Sequence, residues 1–258
     1  MAQLQRLAVN PAQICDRKID LTREQQHYLN RVLRLQAGDR FIAMDGRGHW
    51  WLAVLEAQET GLIASIAEEI AVNRELPVEV TLMAALPKGN GFDEVVRQAA
   101  ELGVASIVPM TSDRTLLKPS DQKVDRWRRI AAEAAEQSER QIVPTILEPV
   151  SFDVAVKDCG QKYRFICVAR GENRHLWDCL IGSFDAPFVG AVPPCPPPAG
   201  GELSIVIAVG PEGGWTEGEV KRAIEFGFEA VSLGSRILRA VTAPIVALSL
   251  VGAAFEKC

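Results

Sequence analysis

At 258 residues, with 24% charged and 48% apolar side chains, the chain has the make-up of a water-soluble globular protein large enough for a buried core and two domains. A net charge of −5 excludes blanket attraction to nucleic acid but not a local basic face. The six cysteines show no CxxC pair and no regular spacing, which argues for reduced thiols rather than a disulfide framework or a zinc site.

The opening residues, Met-Ala-Gln-Leu-Gln-Arg, lack the apolar stretch of a signal peptide. The most apolar segment, 243–255, is too short to cross a bilayer. The expectation is a cytoplasmic protein with no membrane partner and no metal.

Residues 1–73 read as one small domain of short strands, turns and a helix. Thr22 and Gln25 form a capping box, followed by Tyr28, Leu29, Val32 and Leu33 facing a core, with Arg31 and Arg34 at other angles. Gly38-Asp39 and Asp45-Gly46 punctuate strands at 40–44 and 50–55, with 64–66 after them, the pattern of a small β-barrel or sheet. Arginines and lysines outnumber acids through residues 17–47. The rings of His49, Trp50 and Trp51 add surfaces suited to stacking on bases, or equally to packing in a core beside a solvated face.

From residue 74 to 258 strands and helices alternate, which predicts a second domain with a mostly parallel sheet covered on both faces. A strand over 78–85 leads through Leu86-Pro87-Lys88-Gly89 into a helix over 92–102. A short strand follows at 107–110. Ser120 opens a helix that buries Trp127, Ile130, Ala131, Ala134 and Ala135. Then come a strand at 165–169, a short helix at 176–181 and a proline tract within 190–201 that reads as an exposed spacer.

Ser204 to Val209 is a continuous β-branched run, as expected of a strand buried on both faces. It breaks at Gly210-Pro211-Glu212-Gly213-Gly214, after which Thr216 and Glu219 form a second capping box. A strand that ends in a glycine turn and feeds a helix places bare backbone at the carboxyl edge of a sheet, where open α/β sheets bind small ligands. A strand at 230–233 enters a second bend, 234–239. Thr242 then caps, and Pro244 begins, a closing helix apolar on nearly every face, which predicts burial on all sides. The glycine turn is not the G-x-G-x-x-G of a dinucleotide site, and it lies late in the chain.

Three stretches in this order resemble the RsmE family, methyltransferases acting on N3 of a uridine in 16S ribosomal RNA. They are Leu86-Pro87-Lys88-Gly89 with Ala100–Val104, Glu133–Ser138 with Val143-Pro144, and Gly210–Gly214 with Leu233–Arg239. His27 to Arg34 with Gly38-Asp39 looks like that family's PUA-like RNA-binding domain. The resemblance implies an α/β SPOUT fold with a trefoil knot, preceded by a small PUA-like β-barrel. It further implies S-adenosylmethionine as cofactor, 16S rRNA of the small ribosomal subunit as partner, and a homodimer.

Carried onto this chain, Leu86, Gly210, Pro211, Glu212, Gly213, Gly214, Leu233, Gly234, Ile237 and Leu238 would hold the cofactor. Arg239 and Glu212 are the catalytic candidates, the first to stabilise a uridine anion and the second as a base. Arg31, Arg34, Lys88, Arg114 and Arg236 are the RNA-binding candidates. Two departures stand out: Ala240-Val241-Thr242 where the family commonly has Thr-Glu-Thr, and Gly89–Glu94 where relatives are more basic. They keep two alternatives open, a SPOUT enzyme for another nucleoside and an inactive RNA-binding relative.

Overall fold

The computed structural model describes residues 4–58, 61–72, 74–115, 119–183 and 203–256. The proline tract, Cys195 and Cys258 lie outside these. The chain forms two compact units, Met1–Glu75 with Ala135–Val143, and Leu76–Ala134 with Pro144–Cys258.

The first unit contains β1 (Arg6–Ala8), β2 (Ile14–Cys15), β3 (Lys18–Ile19), α1 (Arg23–His27), β4 (Arg40–Met44), β5 (Trp50–Gln58) and β6 (Gly61–Ile70). They make a six-stranded sheet in the order β1-β4-β5-β6-β3-β2, antiparallel except for β1 beside β4. Alternate residues of β4 and β5 (Phe41, Ala43, Ala53, Leu55) turn into a core shared with Ile19, Leu29 and Ala64. The strands ahead of the predicted ones, β1 to β3, were hidden because each is only two or three residues long, and β6 extends the predicted 64–66 on both sides.

The Thr22 capping box forms: Thr22 Oγ1 accepts from Gln25 N, and Gln25 Oε1 accepts from Thr22 N. The helix it starts then widens. Residues Tyr28–Val32 form a π-helical turn, with Leu33 N bonded to Tyr28 O. The wider turn shifts the angular phase, so Leu29 stays buried while Val32 is 58% exposed, which corrects the expectation that Val32 faces the core. Trp50 is also a core residue, flanked by the guanidinium groups of Arg6 and Arg74 at 5.1 and 5.9 Å, and so is not a free stacking surface. His49, by contrast, is exposed and stacks on Trp51 at 5.8 Å.

Ala135–Val143 is held in the first unit by specific polar contacts. Ala8 N donates to Glu136 Oε1, and Arg6 pairs with Glu139. Glu75 accepts from Arg140 Nε and Nη2 and from the amides of Gln141 and Ile142.

The second unit contains β7 (Glu79–Ala85), α2 (Gly91–Glu101), β8 (Ser106–Thr111), β9 (Thr145–Ile146), β10 (Val150–Ser151), α4 (Phe152–Lys157), β11 (Tyr163–Cys167), β12 (Arg174–His175), α5 (Leu176–Ser183), β13 (Ser204–Val209), α6 (Glu217–Glu225), β14 (Glu229–Ser232) and α7 (Thr242–Phe255). Between β8 and β9 runs α3 (Asp121–Gln137), with Trp127, Ile130, Ala131, Ala134 and Ala135 buried as its spacing predicts.

The sheet is parallel throughout, in the order β10-β8-β7-β13-β11-β14-β12 with β9 also on β8. Ile205, Val206, Ile207 and Ala208 of β13 have no exposed surface, as a strand covered on both faces requires. Strands β13 and β14, late in the chain, flank the earlier β11, and α7 then packs on both α2 and α5. That doubling back is consistent with a trefoil crossing.

One expectation for α7 is corrected. Thr242 does not cap it; Thr242 is its first residue, the cap position is Val241, and the amides of Thr242 and Ala243 bond to Arg239 O. Within this single chain the helix is buried along one side only, so burial of the rest would fall to a partner subunit. Pro244, Ala247, Leu248, Val251 and Gly252 form one buried stripe, while Ser249 and Ala253 are exposed and Ile245, Val246 and Leu250 half-buried.

Replacing Glu75 by alanine removes the carboxylate from a guanidinium whose side chain is 4% exposed. Urea unfolding should show a loss of about 3 kcal/mol; a loss below ~1 kcal/mol would mean that this bridge does not hold the returning segment.

Candidate active site

Because the sheet is parallel, the carboxyl ends of β7, β8, β11, β13 and β14 share one edge. The loops leaving them are 86–90, 112–115, 168–173, 210–216 and 233–241. All carry backbone groups that the sheet no longer pairs.

The bend after β13 is a tight turn in which Gly214 N donates to Pro211 O, with Gly214 at φ +68°. Neighbouring loops tether it from both sides. Lys88 N donates to Glu212 Oε1 at 3.0 Å. Arg114 Nη1 donates to Gly213 O at 2.5 Å and to Trp215 O at 3.3 Å. Trp215 Nε1 donates to Cys167 O at 3.0 Å, and its ring packs on Phe152. A Cβ at Gly210 would come within 3.1 Å of the Trp215 ring.

The second bend is pinned by Ser232, whose hydroxyl donates to Gly234 O and accepts from Gly234 N, with Gly234 at φ +111°. Facing each other, the two bends enclose a cavity of about 950 Å³. Gly210, Pro211, Glu212, Gly213 and Gly214 line it on one side; Leu233, Gly234, Arg236, Ile237 and Leu238 line it on the other. Ile237 is 68% exposed, so the cavity is open at that wall.

Leu86 is not among the residues that line the cavity; it is buried, with its amide bonded to Met110 O. Lys88 lies outside the cavity lining, with its side chain exposed and its amide holding Glu212. Arg239 is exposed beside the lining residues, at the turn into α7. Arg31 and Arg34 are exposed on the first unit. Arg114 lines the cavity with its guanidinium spent on backbone carbonyls.

The sequence reading missed the loop after β11, whose Val168, Ala169, Arg170 and Gly171 form a third wall, and Trp215. Extending the strand to Ala169 concealed that loop; β11 ends at Cys167, and Val168 N bonds to Val231 O. The aromatic residue directly after the paired glycines was the available signal for Trp215.

Val241 lies against α2, where a Cβ on Gly91 would come within 2.9 Å of Val241 Cγ1. The two departures from the RsmE pattern therefore touch, and the contact is apolar. Burial pushes the Cys167 thiol up to about 12 and, with a hydrogen bond to Glu229, Cys179 up to about 11. A cavity-lining thiol raised that far stays protonated near neutrality and is a poor nucleophile.

A parallel α/β unit with a glycine-walled cavity at its carboxyl edge, in one chain with a small β-sheet unit, has the make-up of an RNA methyltransferase with a PUA domain. The RNA methyltransferase domain family matches residues 74–252, and the RNA methyltransferase PUA domain family matches 21–66. The chain belongs to the ribosomal RNA small subunit methyltransferase E family. It is 45% identical to that protein of Synechocystis sp. over 98% of this chain and 78% of the relative, and 33% identical to that of Bacillus subtilis over 90% and 88%. A crystal structure of ribosomal RNA small subunit methyltransferase E from Neisseria gonorrhoeae, bound to S-adenosyl methionine, superposes with a TM-score of 0.83 at 29% identity, covering 98% of each chain.

Alkylation with iodoacetamide at pH 8, followed by peptide mass spectrometry, should label exposed Cys15 well before Cys167 and Cys179. Labelling of Cys167 at the rate of Cys15 would contradict the raised pKa of this half-buried thiol.

Proposed function

We propose that this chain is an S-adenosylmethionine-dependent methyltransferase acting on N3 of a uridine in 16S rRNA of the small ribosomal subunit. The observation that carries the reading is the meeting of the two glycine bends around one cavity. Its volume lies within the range of small-molecule sites, ~300–1,000 Å³.

The cavity's chemistry fits the donor. Leu233, Ile237, Leu238 and Val168 give apolar surface for a purine, and the bends offer backbone amides and carbonyls without side chains in the way. When bound, the donor supplies an electrophilic methyl group on a positively charged sulfur. Gly210–Gly214 and Leu233–Leu238 hold and orient it, so that alignment supplies much of the acceleration.

N3 of uridine carries a proton that must leave at or before attack, and the base must be unpaired or flipped to be reached. Arg239 is the residue to stabilise the resulting anion, because it is exposed at the end of the second bend. Glu212 is the weaker candidate for base, since its carboxylate already accepts the Lys88 amide. Arg236, Lys88, Arg31 and Arg34, all exposed, are suited to RNA phosphate. The half-buried apolar side of α7 (Ile245, Val246, Leu250) supports a homodimer. Ribosomal RNA as substrate implies a cytoplasmic location.

Incubating the protein with methyl-labelled S-adenosylmethionine and purified small subunits, then mapping the product, should give one N3-methylated uridine. A mark on another nucleoside would favour a different target for the same fold, and no transfer despite cofactor binding would favour an inactive relative. Arg239→Ala should lower turnover by about 10²–10³-fold with cofactor affinity kept. Glu212→Gln should stay near normal; a comparable loss there instead would make Glu212 the base.

A further inference from the structure

Sequence reasoning gives Glu219 only a cap and Arg114 only a phosphate contact. Side-chain geometry joins them. Glu219 has no exposed surface, and its two oxygens face different loops. Oε2 accepts from Thr216 N at 2.7 Å, which is the capping box. Oε1 accepts from Asp113 N at 2.9 Å, which belongs to the loop after β8. That loop is further stiffened by Ser112 and Thr115, whose hydroxyls share a hydrogen bond while Thr115 N bonds to Ser112 O.

The next residue is Arg114. Strand β7 separates β8 from β13 in the sheet, so the loop after β8 reaches the glycine bend only by spanning the end of β7. Arg114 makes that reach, with Nη1 on Gly213 O and Trp215 O. Its aliphatic stem lies so close to the turn that a Cβ at Gly213 would come within 3.1 Å of Arg114 Cδ and 3.4 Å of Arg114 Cβ. Glycine at 213 thus leaves room for the arginine stem.

We propose that Arg114 and Glu219 are positioning residues for the methyl donor: Glu219 fixes the loop after β8, and the loop holds Arg114 across the glycine bend in its ligand-ready shape. The proposal rests on the reading of the cavity as the donor site. Each carbonyl that Arg114 holds flanks Gly214, the residue at positive φ where the turn is free to relax. Charge-assisted hydrogen bonds on both sides of that residue fix the backbone before the donor arrives, which lowers the ordering cost of binding. Lys88 N on Glu212 braces the same turn from β7.

The test uses the full chain and S-adenosylmethionine in titration calorimetry, with Arg114→Ala, Arg114→Lys and Glu219→Gln. Donor Kd should rise about tenfold or more in Arg114→Ala, with kcat at saturating donor nearly kept, so the loss appears in KM. Lysine should recover part of it. Glu219→Gln should act in the same direction, because an amide cannot accept at both positions. Thermal melting without donor should move little in Arg114→Ala, and that variant carries the test if Glu219→Gln does not fold. Wild-type binding with an unchanged Kd in Arg114→Ala would overturn the proposal, whereas failure of wild type to bind would remove the donor reading itself. Single-stranded RNA affinity against salt separates the remaining role. An unchanged slope is expected, and a slope shallower by about 0.7 would make Arg114 a phosphate contact instead.

Discussion

The structure of the second unit depends on how one interrupted strand is tied to its neighbours. Strand β13 is buried from Ile205 to Val209 and ends in Gly210-Pro211-Glu212-Gly213-Gly214, where its backbone leaves the ladder. Such a turn would be mobile by composition. Here Lys88, Arg114 and Trp215 link it to the loops after β7, β8 and β11. A glycine-rich turn serves a ligand best when something outside it fixes its shape, and these hydrogen bonds from neighbouring loops do so.

The same economy explains why the motif residues divide their roles. Glu212, the only carboxylate in the turn, serves first as an acceptor for a neighbouring amide. The three glycines differ: Gly210 makes room for the Trp215 ring, Gly213 for the Arg114 stem, and Gly214 takes positive φ. A methyltransferase of this kind needs little covalent chemistry from its protein. For the uridine-N3 reaction proposed above, alignment and the handling of one proton would be the tasks, and a backbone cradle with an arginine at its rim would suit both.

In the first unit a motif that resembles part of the methyltransferase pattern turns out to serve packing. The stretch ending in Val143 returns to the small sheet, where Glu136 takes the amide of Ala8 and Arg140 meets Glu75. Val143 lies so near Gly46 that a Cβ there would come within 2.9 Å of it. Residues that keep a family's spacing can therefore serve packing, as Glu136 and Val143 do here.

Local chemistry was enough to specify the strongly patterned elements. The β-branched run 204–209, the capping boxes at Thr22 and Thr216, and the alanine-lined face of α3 follow from periodicity and from which side chains satisfy free amides. The two glycine bends were visible for the same reason, since only glycine takes those backbone angles cheaply. Tertiary structure decided everything that depends on which strands become neighbours. Sheet order brought 210–214 beside 233–238, carried Arg114 across the end of β7, and made the loop after Cys167 a third wall. It also turned Val32 outward through a π-helical turn and Trp50 inward beneath two arginines. Strand order and register are set by contacts between residues far apart in the chain, and no window of sequence contains them.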